Sequence, residues 1–434
     1  MKITVPGDKS LTQRALILSA LATGRSRLGG LLHGGDAAST RGALVRLGVD
    51  IPEIPAGGGA FVVEGVGLRG LTAPSGVLDL GNSGTGTRLL LGVLAGSGLS
   101  ATLTGDGSLR SRPMRRVTEP LSAMGAAFDH LEEEGRLPLV VRGKHPLRPI
   151  DWSSPVASAQ VKSAILFAGL TGRAFALVTE PRMSRDHTER LLTGVGASVV
   201  SHAVGEGWRV ELRDPPERIR PLDFDVPGDF SSAAFLLALA VLGGVAGPDP
   251  GELTLGGVGL NPTRTAFLDV LARMGADVSV DRTSASDASE PAGSVTVRKT
   301  DLRPTTVEGD EVPRLIDELP LVAVLGARTP GVTRIRDAEE LRAKESDRIA
   351  AMVSNLRAVG VAAEESADGL EVEGTDRPLQ GRVRTEGDHR IAMAFGVLGA
   401  LPGNQIEIDD PGAADVSFPG FWGTLRAVRD GTVG

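Results

Sequence analysis

The 434-residue sequence exceeds what one hydrophobic core usually serves, so two domains are expected. A formal net charge of −8 argues against a nucleic-acid binder, and the absence of cysteine removes disulfides, thiolate metal sites and any cysteine nucleophile. With 41% hydrophobic and 23% charged residues, and no uninterrupted apolar run of about 18, the chain reads as a globular protein without a membrane span.

In chain order, Met1–Val5 is strand-like and unlike a signal peptide, so a cytoplasmic enzyme is expected. Pro6-Gly7 is a turn pair. Asp8-Lys9-Ser10-Leu11-Thr12-Gln13-Arg14 then leads into the apolar run Ala15–Ala22, as for a helix buried on most sides. This pattern recurs. Gly81-Asn82-Ser83-Gly84-Thr85-Gly86-Thr87-Arg88 runs into Leu89–Ala95, and Ser158-Ala159-Gln160-Val161-Lys162 into Ala164–Leu170. Gly228-Asp229-Phe230-Ser231-Ser232 runs into Ala233–Leu242, Asp317-Glu318-Leu319-Pro320 into Leu321–Ala327, and Gly387-Asp388-His389-Arg390 into Ile391–Leu401. The six starts recur every 70–90 residues or so, which points to an internally repeated fold.

A second feature keeps the same period. Amphipathic helices end in glycine and pass into strands at Leu47-Gly48-Val49, Met124-Gly125-Ala126, Val195-Gly196-Ala197, Met274-Gly275-Ala276 and Val359-Gly360-Val361. The unit is strand, buried helix, strand, exposed helix, strand. Residues 24–35 read as a glycine-rich connection, Asn261-Pro262-Thr263-Arg264 and Ala343–Arg348 as helix starts, and residues 282–294 as a loose hairpin loop. The chain start is expected to complete a repeat begun at the C-terminus.

The six buried-helix starts carry Lys9, Arg14, Arg88, Gln160, Asp229 and Arg390, and Arg110, Arg112, Arg115, Arg116, Lys344 and Arg348 lie at the exposed-helix starts. Cations there oppose the helix dipole, which prefers anions. Any one of them alone reads as a solvated surface arginine. So many at equivalent positions argue for a bound anion held by charge and free N–H groups. Asp317 and Glu345 stand among these cations as candidates for acid–base work; first-turn carboxylates of no catalytic role are the plainer alternative. Gly81–Gly86 is not a dinucleotide fingerprint, Asp8-Lys9-Ser10 is not a Walker loop, and the sequence offers no metal-ligand cluster.

Pro6-Gly7-Asp8-Lys9-Ser10, Leu80–Thr85, Arg112-Pro113-Met114, Ser158-Ala159-Gln160, Lys344-Glu345-Ser346-Asp347-Arg348 and Asp388-His389-Arg390 resemble the 5-enolpyruvylshikimate-3-phosphate (EPSP) synthase family, in order and along the whole chain. The resemblance implies a two-domain inside-out α/β barrel of six βαβαββ-type repeats, three per domain. One domain would be residues 1–6 with 228–434, the other 7–227. It implies transfer of enolpyruvyl from phosphoenolpyruvate to the 5-hydroxyl of shikimate 3-phosphate, by a monomer without metal, organic cofactor, nucleic acid or membrane.

Carried over by position, Lys9, Gly84, Arg112, Gln160, Arg348 and Arg390 would hold phosphoenolpyruvate. Ser10, Arg14, Ser158, Ala159, Gln160, Ser184, Asp317 and Lys344 would hold shikimate 3-phosphate. Asp317, Glu345 and Lys9 would carry the chemistry. The family's herbicide inhibitor, glyphosate, would occupy the phosphoenolpyruvate position against Gly84. Ala159, Glu340 and Val416 depart from residues seen in some members, as does Leu89 from a common proline, and the chain has no tyrosine. The sister enzyme acting on UDP-N-acetylglucosamine is the alternative, weakened by the absence of its usual cysteine.

Overall fold

A computed structural model describes residues 1–246, 251–283 and 290–432. Contacts divide the chain into two compact units. One comprises Gly7–Val226 with Ala285–Glu290, the other Met1–Pro6, Pro227–Ser284 and Pro291–Gly434. Pro227 therefore groups with the residues that follow it, and Glu290 with the unit that begins at Gly7.

The unit beginning at Gly7 contains helices α1 (Lys9–Leu21), α2 (Gly35–Arg46), α3 (Gly84–Ser97), α4 (Gly107–Ser111), α5 (Arg115–Met124), α6 (Ala159–Thr171) and α7 (His187–Gly194). Helices α1, α3 and α6 are buried on every side beyond their first turn, as their unbroken apolar runs require. Helices α2, α5 and α7 bury one face only.

Two four-stranded sheets flank the buried helices, each with one parallel pair and two antiparallel pairs. Their strand orders are Leu78–Asp79, Ser100–Thr104, Leu139–Arg142, Ala127–His130, and Ile150–Ser153, Ala176–Glu180, Gly207–Arg213, Ser198–Val204. A parallel pair needs a crossover connection, and α3 and α6 are those crossovers.

The other unit repeats this plan with α8 (Phe230–Val241), α9 (Ala266–Arg273), α10 (Leu319–Ala327), α11 (Arg348–Ala358), α12 (His389–Ala400) and α13 (Phe421–Asp430). Here α8, α10 and α12 are the buried helices. Its sheets run Lys2–Ile3, Glu252–Gly259, Ala292–Arg298, Asp277–Arg282; Thr306–Val307, Val332–Ile335, Leu370–Glu373, Ala362–Glu365; and Gln380–Val383 with Gln405–Ile408.

The two chain crossings exchange edge strands. Lys2–Ile3 precedes α1 in sequence yet pairs in parallel with the strand after α8, Lys2 opposite Thr254. Asp223–Asp225 precedes α8 yet pairs with the strand after α1, Asp223 opposite Arg27. The chain start therefore completes the fourth repeat, not one begun at the C-terminus. Main-chain hydrogen bonds decide this, and two residues of strand carry no apolar pattern by which the partner could be read.

Other local expectations are also corrected. Thr23–Gly29, which overlaps the expected glycine-rich connection at 24–35, is a strand in which Ser26 and Leu28 are buried and Arg25 and Arg27 exposed. Asn261 does not start a helix. Its Oδ1 accepts hydrogen bonds from Thr263 N (2.9 Å) and Oγ1 (2.7 Å), a side-chain turn that delays α9 to Ala266. Glu339–Ala343 forms a separate 3₁₀ turn, and α11 starts only at Arg348, capped by Asp347. Residues 284–289 of the expected 282–294 loop lie outside the described residues; its flanking strands end at Arg282 and resume at Ala292.

The tightest helix contact in the first-described unit is α3 against α6. A methyl group on Gly92 would lie 2.2 Å from the Ala164 carbonyl oxygen, whereas one on Gly42 of α2 would meet nothing within 4 Å. Gly92→Ala should lower stability by about 1–3 kcal/mol or more through overpacking. Gly42→Ala should be neutral or add about 0.5–1 kcal/mol, because alanine is the better helix former. Urea unfolding of the two variants checks this contrast.

Candidate functional site

In the unit beginning at Gly7, Asp8 caps α1 by accepting from Leu11 N at 2.8 Å. This fixes Lys9 at the first helical position, with Nζ 2.8 Å from Oδ2 of buried Asp36 in the first turn of α2. Ser10 follows, partly exposed. Arg14, one turn on, is only 3% exposed. Its Nε donates to Thr188 Oγ1 (2.7 Å), Nη2 to Ser163 Oγ (3.1 Å) and Nη1 to the Ser10 carbonyl (3.0 Å). All three partners are neutral. Burial pulls the guanidinium down to about 10, against the weaker opposing pull of Glu189 and Asp8.

The second helix start gathers Gly84, Arg112 and Gln160. Arg112 Nη2 donates to Asn82 Oδ1 (2.7 Å) and Ser108 Oγ (3.1 Å). Gln160, at the start of α6, donates to Thr85 Oγ1 (2.8 Å) and accepts from Arg88 Nη1 (2.5 Å). A methyl group on Gly84 would meet Arg112 Nη1 at 3.0 Å and Arg88 Nη1 at 3.4 Å. Glycine thus keeps two guanidinium groups close to the start of α3. Arg88, a helix-start cation with no expected ligand role, also donates to the Pro113 carbonyl at 3.2 Å.

The third start carries Ser158, whose Oγ faces the backbone N of Val161 as N-cap of α6, and Ala159 in the first turn. Glu180, the last residue of strand Ala176–Glu180, accepts from Ser158 N (2.7 Å) and from Ser184 Oγ (2.7 and 3.0 Å). Lys162 is fully buried, with Nζ 3.1 Å from Glu180 and 2.7 Å from Glu189. Burial would lower the Lys162 pKa, but Glu189 and Glu180 together hold it above its ordinary value. Burial raises that of Glu189 despite Lys162.

In the other unit the centre is Arg348, 1% exposed. Its Nε is 2.8 Å from Asp388 Oδ2, Nη2 is 2.7 Å from Glu345 Oε2, and Nη1 is 3.4 Å from Asp317 Oδ1. One guanidinium therefore holds the expected base, the expected acid and the N-cap of α12, which also accepts from Arg390 N at 2.8 Å. Burial alone would lower the Arg348 pKa; Asp388, Glu345 and Asp317 raise it above its ordinary value instead. Burial likewise opposes ionisation of Asp388, yet Arg348 and then His389 hold its carboxyl below the usual range.

Arg390 lies with its guanidinium carbon 5.9 Å from the centre of the Phe235 ring. Lys344 Nζ is 2.9 Å from Glu340. At α8, Arg264 Nη2 is 3.2 Å from the cap Asp229 and 2.6 Å from Ser231 Oγ.

The expected site residues thus fall into four local groups. These are Lys9 with Ser10 and Arg14; Gly84 with Arg112 and Gln160; Ser158 and Ala159 with Ser184; and Asp317, Glu345 and Arg348 beside Lys344 and Arg390. Arg348, expected as a phosphoenolpyruvate ligand, also faces Asp388, Glu345 and Asp317. Asp36, Glu180 and Lys162 escaped the sequence reading. An acid in a first turn, a strand-end glutamate and a lysine in an apolar helix each have an ordinary structural explanation.

The fold is that of enolpyruvyl transferases. An enolpyruvyl transferase, NikO from Streptomyces tendae, matches with a TM-score of 0.74 over 99% of this chain and 94% of that one, at 18% identity. EPSP synthase from Acinetobacter baumannii matches with a TM-score of 0.85, 36% identity and coverage of 99% and 95%. A 3-phosphoshikimate 1-carboxyvinyltransferase from Gloeobacter violaceus is 49% identical over 99% of this chain and 96% of its own length. One from Alkalilimnicola ehrlichii is 47% identical over 97% and 91%. The family model described as EPSP synthase (3-phosphoshikimate 1-carboxyvinyltransferase) matches residues 1–425. The chain belongs to that family.

Removing Arg348 leaves the buried Asp388 carboxylate without its cation, beside the partly exposed Asp317 and Glu345. Arg348→Met should cost about 3–5 kcal/mol in urea unfolding. Because the folded pKa of Asp388 is depressed, its contribution is present above the ordinary carboxylate value near 4 and is lost as pH falls through the lower folded value. Asp388→Asn should remove that acid-side slope from stability measured against pH.

Proposed function

We propose that this chain transfers the enolpyruvyl group of phosphoenolpyruvate to the 5-hydroxyl of shikimate 3-phosphate, releasing phosphate, as part of the shikimate route to chorismate and aromatic amino acids. The observation that carries the reading is the attachment of both Asp317 and Glu345 to Arg348. The reaction needs one group to take a hydroxyl proton and another to protonate carbon.

Glu345 gives a proton to the methylene carbon of phosphoenolpyruvate, which becomes a methyl group, and positive charge develops on the adjacent carbon. Asp317 takes the 5-hydroxyl proton as the oxygen bonds to that carbon. The tetrahedral adduct then collapses. Glu345 recovers a proton from the methyl group, the carbon–oxygen bond to phosphate breaks, and Asp317 returns its proton to the departing phosphate.

Lys9, Gly84, Arg112, Gln160, Arg348 and Arg390 hold phosphoenolpyruvate in this reading, and Arg348 also fixes the two carboxylates. Ser10, Arg14, Ser158, Ala159, Gln160, Ser184, Asp317 and Lys344 serve shikimate 3-phosphate. Buried Arg14, with neutral direct partners, suits an anionic group. The UDP-N-acetylglucosamine alternative gains nothing from a chain without cysteine. A monomer is the proposed working form. No helix among the described residues is long and apolar enough to cross a membrane, and the proposed compartment is the cytoplasm.

The test is phosphate release from purified protein. It should require both substrates; release with phosphoenolpyruvate alone, or none with the pair, contradicts the reading. Glu345→Gln should keep both affinities and lose most turnover, since shape remains and the transferable proton does not. Weakened binding with turnover preserved would make Glu345 a ligand instead. Lys9→Ala should weaken phosphoenolpyruvate binding and slow turnover together.

Gly84→Ala adds a methyl group 3.0 Å from Arg112 Nη1. Overpacking of about 1–3 kcal/mol corresponds to roughly 5- to 150-fold in affinity. Glyphosate is longer than phosphoenolpyruvate, so its inhibition constant should rise more than the Michaelis constant. Equal shifts would remove Gly84 from the site.

A further inference from the structure

We propose that Glu180 is a positioning residue for the phosphate group of shikimate 3-phosphate, acting through Ser184 and Ser158. This rests on the reading above that both serines bind that substrate. Glu180 is 1% exposed and stands behind the two serines. Its carboxylate accepts from Ser184 Oγ, from Ser158 N–H and from Lys162 Nζ. Burying a lysine with two glutamates is costly, and apolar residues of similar volume often replace such groups without loss of stability. Helix α6 is apolar from Ala164 to Leu170 and needs no cation for packing.

The hydrogen-bond inventory gives the cluster its use. A serine hydroxyl has one proton, and a phosphate dianion only accepts. In the structure Ser184 donates that proton to Glu180, which fixes its side-chain direction. When phosphate arrives, the O–H turns from carboxylate to phosphate. Glu180 keeps Lys162 and the Ser158 N–H, so its charge is not stranded. The same carboxylate holds the Ser158 backbone, and with it the cap of α6. Lys162 in turn is held by Glu189.

A double-mutant cycle tests this, with Glu180→Gln, Ser184→Ala and the combination. Titration calorimetry gives shikimate 3-phosphate affinity, and kinetics give both Michaelis constants and turnover. Glu180→Gln should weaken shikimate 3-phosphate about tenfold, while turnover at saturation and the phosphoenolpyruvate Michaelis constant stay within about twofold. Ser184→Ala should weaken the same substrate, and the combination should be no worse than the weaker single variant, because the two act through one contact.

Unchanged affinity in Glu180→Gln, effects that multiply in the combination, or lost turnover with both Michaelis constants intact would overturn the proposal. If Glu180→Gln does not fold, Glu180→Asp keeps the charge but shortens its reach, with the same expectations. Unaltered protein that does not bind shikimate 3-phosphate would instead sink the functional reading itself.

Discussion

Among the described residues each unit buries three helices on all sides beyond the first turn, and this constraint decides where chemistry can occur. A helix start leaves four backbone N–H groups without helical partners, and a buried helix must satisfy them locally. Asp8, Ser83, Ser158, Asp229 and Asp388 do so as side-chain caps. Polar side chains of these helices are largely confined to the same end. The cations placed there gain carboxylates from nearby helix starts, as Lys9 does from Asp36 and Arg264 from Asp229.

Two arginines of nearly equal burial show what this achieves. Arg348 faces three carboxylates and is held above its ordinary pKa. Arg14 meets hydroxyls and a carbonyl directly and is pulled down to about 10. The first environment has excess negative charge and suits the handling of protons. The second leaves a buried positive charge with only neutral contacts and suits an anion. Charge alone, as read along the chain, makes the two residues look alike.

The repeated helix starts were legible because an apolar run with a polar head has one physical solution, a buried helix with a capped end. All six buried helices lie at the expected starts. The edge strands were not legible. Lys2–Ile3 and Asp223–Asp225 are too short for periodicity, and only main-chain bonding assigns their partners. Turn chemistry at Asn261 displaced a helix start by several residues. The residues that the resemblance marks as ligands include several in the first turns of capped buried helices, among them Lys9, Gly84 and Gln160. Glu180, Lys162 and Asp36 were hidden because their roles arise from neighbours distant in sequence, such as Ser158 across 22 residues from Glu180.

The central claim is that Glu345, held by Arg348, protonates the methylene carbon so that the reaction passes through a methyl-bearing adduct. The most direct measurement is turnover in deuterium oxide, with mass and NMR analysis of the vinyl group of the product. Deuterium in the vinyl methylene with the unaltered protein, and its loss in Glu345→Gln, is the result expected. Product formed by the unaltered protein at normal rate with no deuterium at that carbon would contradict addition and elimination, and with it the role assigned to Glu345.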